Sequence, residues 1–270
     1  MVQHLIVPVD GSDASWRAAD VAFALARRCA TNVDILEVVV ALDELPGAEQ
    51  RITERLSEHD TAGVEVRTKV IVAAESVAEG IAAEVEAHPE VTVVMASHGR
   101  GRSAALLGSV AEELLQLVFG PVLVVGPHCQ IQAFDGPIIV TVDGSTASES
   151  VLPLAAAWGI ELQSEPWIVE VAEPDIAFSA DVDQAAYPAR LARRLTAESG
   201  HPVEFEVLHG HNVHDEIADF AESLHASMII ASTHGRTGMN RLVSGSTAAA
   251  IVRHARCPVL LLRPPHLADR

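Results

Sequence analysis

Lysine is almost absent. Lys69 is the only one in 270 residues, so nearly all of the 18 positive charges are arginines. A phosphate loop of the Gly-Lys-Ser/Thr type cannot be built from it, because Lys69 stands between Thr68 and Val70. Cysteine is scarce too: Cys29, Cys129 and Cys257 are odd in number and form no CxxC pair. That usage fits a reducing compartment and small buried hydrophobes better than a disulfide framework or a thiolate zinc site. No apolar run reaches the roughly 18 residues of a bilayer helix, and the opening MVQHLIVPVDGS has no basic stretch before an apolar block. The expectation is a cytoplasmic protein without a membrane role.

Basic surface is also missing. With 37 acidic against 18 basic residues the net charge is −19, a field that repels phosphate backbones and anionic lipid. Nucleic acid and membranes are therefore not expected partners, and an acidic protein partner is disfavoured. What is present is an ordinary globular mixture, 49% hydrophobic and 20% charged with 17 glycines and 14 prolines. At about 100 to 200 residues per domain, the length suits one large domain or two small ones.

The chain repeats itself. HLIVPVDGSDAS (4–15) returns as PIIVTVDGSTAS (137–148), VTVVMASHGRG (91–101) as ASMIIASTHGRTG (226–238), and GPVLVVGP (120–127) as CPVLLLRP (257–264). The landmarks recur in order, which predicts tandem domains over 1–127 and 136–265 with 127–136 as linker. Within each half β-branched strands alternate with helical stretches, the pattern of a parallel sheet with helices on both faces. Strands are expected near 4–9, 33–40, 65–72, 91–96 and 121–125, and again near 137–142, 166–172, 203–208, 227–231 and 258–262. Ser76-x-x-Glu79 and Asn212-x-x-Asp215 occupy matching places and read as side-chain caps opening the third helix of each copy.

In open parallel sheets, ligands lie beyond the carboxyl ends of the strands where strand order reverses. Pro8, Asp10, Gly11 and Ser12 follow the first strand, with Asp143, Gly144 and Ser145 in the second copy. A carboxylate there can accept from a ribose hydroxyl or cap the next helix. After the fourth strand come His98, Gly99, Arg100 and Gly101, then Gly108, Ser109 and Val110; the second copy has His234, Gly235, Arg236 and Gly238, then Gly245, Ser246 and Thr247. Glycine loops opening a helix with free N–H groups make a phosphate cradle that needs no lysine, and Arg100 or Arg236 can add charge.

These residues resemble the universal stress proteins, whose nucleotide-binding members carry Gly-x-x-Gly, nine residues, then Gly-Ser/Thr after the fourth strand. Nine residues (236–244) separate Gly235 from Gly245, whereas eight (100–107) separate Gly99 from Gly108; the leading glycine is replaced by Ser232 and Ala96. The second site is the more complete. The resemblance implies two tandem five-stranded parallel sheets of the adenine nucleotide alpha hydrolase-like, Rossmann-like kind, paired about a pseudo-two-fold axis through the last strands near Val122 and Val259. It implies ATP, with Mg²⁺ brought by the phosphates. Asp10 and Asp143 would meet adenosine, the backbone of Val38 and Val171 would read the adenine edge, and Gly99, Gly108, Ser109, Gly235, Gly238, Gly245 and Ser246 would hold phosphate. Pro8, Val110, Arg236 and Thr247 complete the set. The implied function is a nucleotide-responsive regulatory module in stress response, as an intrachain pair or homodimer. The alternative is a nucleotide-free dimerising scaffold, since some members of the family bind none. An adenylating enzyme would show a Ser-Gly-Gly-x-Asp-Ser loop after the first strand, which Val-Asp-Gly-Ser-Asp is not. No catalytic base can be named.

His209, His211 and His214 form the densest imidazole cluster. Three imidazoles within six residues can in principle ligate zinc or nickel, but without a cysteine or an i, i+4 histidine partner the favoured reading is a solvated loop entering a helix. His98 and His234, repeated ahead of the glycines, read as residues that orient the loop.

Overall fold

The computed structural model describes residues 4–88, 90–99, 107–172, 185–234 and 246–264. The first half runs β1 (His4–Pro8), α1 (Asp13–Cys29), β2 (Asn32–Val39), α2 (Ala48–Leu56), β3 (Val66–Val72), α3 (Val77–Ala87), β4 (Val91–Ala96), α4 (Ser109–Leu117) and β5 (Val122–Val125). The second runs β6 (Ile138–Val142), α5 (Thr146–Glu149), α6 (Leu152–Leu162), β7 (Pro166–Ala172), α7 (Ala186–Ser199), β8 (Glu204–His209), α8 (Val213–Ser223), β9 (Met228–Ser232), α9 (Ser246–His254) and β10 (Val259–Leu262).

The strands lie where β-branched runs place them, and each half is a parallel sheet of five. The order is β3-β2-β1-β4-β5 in one half and β10-β9-β6-β7-β8 in the other, so strand order reverses between β1 and β4 and between β6 and β9. The two sheets are continuous. β5 and β10 pair antiparallel about Leu123↔Leu260, joining all ten strands. Because the seam is antiparallel, the carboxyl ends of the two halves point in opposite directions.

Alternate strand residues feed two apolar layers, one on each face of the sheet. Leu5, Val7, Leu123, Val140 and Leu260 lie in one with α1 and α6; Ile6, Val122, Val124, Ile139 and Val259 lie in the other with the helices α3, α4, α8 and α9. Each layer crosses the seam. Arg28 of α1 also reaches over it, donating to the carbonyls of Phe134 in the linker and Leu162 in α6.

The second copy departs from the first at one helix, and one expected cap is not made. In the second copy the first helix is interrupted at Ser150 and Val151, because Pro153 lacks the N–H that would bond back toward Glu149 and its ring crowds that turn. Ser76 caps α3 by accepting from the Glu79 N–H at 3.1 Å, but Asn212 makes no side-chain cap; its carbonyl instead receives the Asp215 and Glu216 N–H groups at 3.0 and 3.1 Å.

Candidate functional site

In each half strand order reverses beside the first strand, the place where open parallel sheets form a crevice, and the turn after that strand is built twice in the same way. Asp10 Oδ1 accepts from the Ser12 N–H at 2.9 Å and from its hydroxyl at 2.6 Å; Asp143 Oδ1 accepts from Ser145 at 3.0 and 2.6 Å. The helix caps are the serines, not the aspartates. Ser12 Oγ accepts from Ser15 N and Ser145 Oγ from Ser148 N, at 3.2 and 3.1 Å, and the hydroxyls of Ser15 and Ser148 close the loop onto the carbonyls of Ser12 and Ser145. Between aspartate and serine the backbone enters the left-handed region, with φ of 81° at Gly11 and 82° at Gly144, where a side chain is strained. The signal for this network is Asp-Gly-Ser-x-x-Ser, present in both copies; only its second serine, Ser15 and Ser148, went unread.

Across the first crevice Gly99 meets Asp10. A Cβ at position 99 would fall 2.2 Å from Asp10 Oδ2, so only glycine lets the loop after β4 lie against this carboxylate. The loop is pinned farther on, where the Gly108 N–H donates to the Ser97 carbonyl at 2.7 Å and Gly108 opens α4 without a side-chain cap. The N–H groups that follow, at Ser109 and Val110, are among those that no intrahelical carbonyl serves. His98 holds Ser97 Oγ through Nδ1 at 2.9 Å, and its buried Nε2 has no partner. In the second half His234 contacts Thr233 Oγ1 at 2.9 Å, and its N–H donates to Ser232 Oγ at 3.3 Å.

Val38 and Val171 present backbone to the same crevices. Ala73 N–H donates to the Val39 carbonyl at 2.9 Å and Gly210 N–H to the Ala172 carbonyl at 3.4 Å, on the outer side of β2 and β7. Successive residues of a strand face opposite neighbours, which turns the N–H and C=O of Val38 and Val171 toward the gaps where β1 and β6 end. Pro8 is the last residue of β1, and Thr247 stands exposed on the first turn of α9, which Ser246 opens. Gly235, Arg236, Gly238 and Gly245, like Arg100 and Gly101, lie outside the described residues.

Tyr187 was not foreseen. From the start of α7 its hydroxyl accepts from the Gly144 N–H at 3.1 Å and donates to Glu149 at 3.2 Å, buttressing the turn after β6. Burial first, and then the Glu149 carboxylate, hold this phenol well above its ordinary pKa. It is the only tyrosine in the chain, and the contact spans residues too far apart for pattern to reveal. Burial also pushes each of the three free thiols up to about 12, so they are packing residues rather than nucleophiles. Among the described residues no helix is long and apolar enough to cross a membrane.

The profile of the Universal stress protein family matches residues 1–126 and again 136–263. A universal stress protein of Mycobacterium tuberculosis strain H37Rv is 31% identical over 183 residues, an alignment spanning 63% of this chain and 61% of that protein's length. The crystal structure of a universal stress protein from Archaeoglobus fulgidus DSM 4304 superposes with a TM-score of 0.71 at 20% identity over 98% of this chain and 99% of that one, which shows the shared fold. Another from Archaeoglobus fulgidus, solved in complex with dAMP, is 24% identical over 47% of this chain and 97% of its own, with a TM-score of 0.39.

Proposed function

The chain belongs to the universal stress protein family, and from that premise we propose that it is a cytoplasmic ATP-binding module whose occupancy biases a stress-response interaction. Each repeat, 1–127 and 136–265, carries one candidate site. The observation that supports this best is the convergence at the first crevice of Asp10, the side-chain-free Gly99 and the inward-facing backbone of Val38. A carboxylate suits ribose hydroxyls, a strand edge suits the adenine edge, and a helix start without a side-chain cap at Gly108 suits phosphate.

The donor set fits the nucleotide. Ser109 and Val110 offer N–H groups to an anion, and the unpartnered His98 Nε2 is satisfied by a phosphate oxygen when its tautomer carries the proton. In the second half Asp143 and Val171 repeat the nucleoside end, with Gly235, Gly238, Gly245, Ser246 and Thr247 assigned to phosphate and Arg236 to added charge. Bound Mg²⁺ would arrive with the phosphates and neutralise part of their charge; the chain supplies no lysine for that task. Hydrolysis is not part of the proposal, because turnover needs a positioned water and a base, and the sequence names no residue for the base.

Denaturing freshly purified protein and counting the released nucleotide tests this reading. About two adenine nucleotides per chain mean that both crevices work, about one means that the complete second loop works alone. If none is released and added ATP does not bind, the nucleotide-free scaffold replaces the proposal.

A further inference from the structure

His214, which the sequence groups with His209 and His211, finds its partner elsewhere. It lies in the first turn of α8, and the last turn of α9 brings His254 against it, ring centroids 4.9 Å apart and edge to face. Asp215 completes the group: its Oδ1 is 3.1 Å from His254 Nδ1 and 3.6 Å from His214 Nε2. One ligand atom from each residue lies within 4.8 Å of the other two. His209 and His211 are exposed and, among the described residues, belong to no such group.

We propose that His214, Asp215 and His254 form a binding site for a transition-metal dication of the zinc class, clamping α8 to α9. Zinc takes histidine nitrogen at about 2.0 to 2.1 Å and carboxylate oxygen at similar range, so tetrahedral ligands stand roughly 3.4 Å apart. The two distances to Asp215 bracket that value, and rotation of the imidazoles closes the third. Two imidazoles with one carboxylate select Zn²⁺, Ni²⁺ or Cu²⁺ over Mg²⁺ and Ca²⁺, which prefer all-oxygen ligands. The side chains are 28%, 41% and 40% exposed, leaving room for water in the open position. The first half supplies an internal control, because the matching helix positions hold Ala78, Glu79 and Leu117 without an imidazole. The site therefore takes one metal per chain, and it is independent of nucleotide binding.

Calorimetric titration of the full-length, chelator-treated chain with Zn²⁺ tests the proposal, in excess Mg²⁺ so that metal on phosphates is not counted. One equivalent should bind saturably, His214→Ala or His254→Ala should each weaken it at least tenfold, and Asp215→Asn should weaken it less. Zn²⁺ should raise the melting temperature of the wild type and not of the His254→Ala variant, whose far-UV spectrum should be unchanged. The double variant His209→Ala/His211→Ala should bind like wild type. The proposal is overturned if the wild type binds no saturable Zn²⁺, if the His214→Ala/His254→Ala double variant binds it as well as wild type, or if removing His209 and His211 abolishes it instead. In any of those cases the cluster is a histidine–carboxylate contact between two helices and nothing more.

Discussion

At the ends of β1 and β6 the chain writes one turn twice, with the same five hydrogen bonds joining Asp10, Ser12 and Ser15 and joining Asp143, Ser145 and Ser148. The surroundings then part. Tyr187 and Glu149 brace the second turn, and Arg194 reaches Glu149 at 3.4 Å; the first half has no tyrosine to brace the turn after β1. A short motif is enough to fix a local backbone, while what leans on it is free to differ between copies. The repeat therefore shares a scaffold more closely than it shares a site.

The harshest way to break the comparison is at the seam both halves share. Leu260 is fully buried opposite Leu123, so Leu260→Asp should cost on the order of 4 kcal/mol or more by leaving an unpaired charge where the apolar layer of α1 and α6 crosses the seam. Urea unfolding should show both halves lost in one transition; a surviving half would mean that the layers crossing the seam do not couple them. Next come the glycine loops. Gly99→Val forces a side chain onto Asp10 and should destabilise by about 1 to 3 kcal/mol. Gly235→Val should leave the melt nearly unchanged and lower ATP affinity about tenfold, some 1.4 kcal/mol, where backbone must approach phosphate. Equal ATP affinity in wild type and Gly235→Val removes the second loop from the site.

Replacing Ser12 or Ser145 by Ala should cost about 1 kcal/mol each, and the double variant about the sum, since the caps are alike and far apart. Clearly unequal losses would show that Tyr187 carries part of the second cap. The smallest effect is one of pH. A phenol whose folded pKa is raised adds stability that is fully present below the unfolded value of about 10 and is lost as pH rises through the higher folded value. Stability should thus fall above about pH 10 and fall less in Tyr187→Phe. Because the chain has one tyrosine, tyrosinate absorbance follows this group directly, and an ordinary midpoint would contradict the bracing of Gly144.

The strands were readable because apolar runs that end in Val-Asp-Gly-Ser or open with Pro-Val-Leu mark them twice over. The antiparallel direction of the β5·β10 seam is not written in either strand, VLVV or VLLL; the family resemblance placed these strands at the interface and said nothing of their direction. Local chemistry misled where two donors compete: Asp10 and Ser12 are both good caps, and geometry awards the role to serine while aspartate accepts from it. Asn212 fails as a cap because its backbone, at φ −105° and ψ 87°, departs from the extended shape in which Ser76 works. His254 stands forty residues beyond His214, joined only through the packing of α8 on α9, and no spacing rule reaches that far.

The seam has a consequence for how the protein meets dilution. Two separate chains paired through their last strands would exchange partners and come apart as concentration falls, and identity would oblige both crevices to change together. Fused through residues 127–136, the two halves cannot be diluted apart, and their pairing with each other carries no concentration term. A substitution now touches one crevice at a time, so one half can be tuned, or silenced, while the other keeps working.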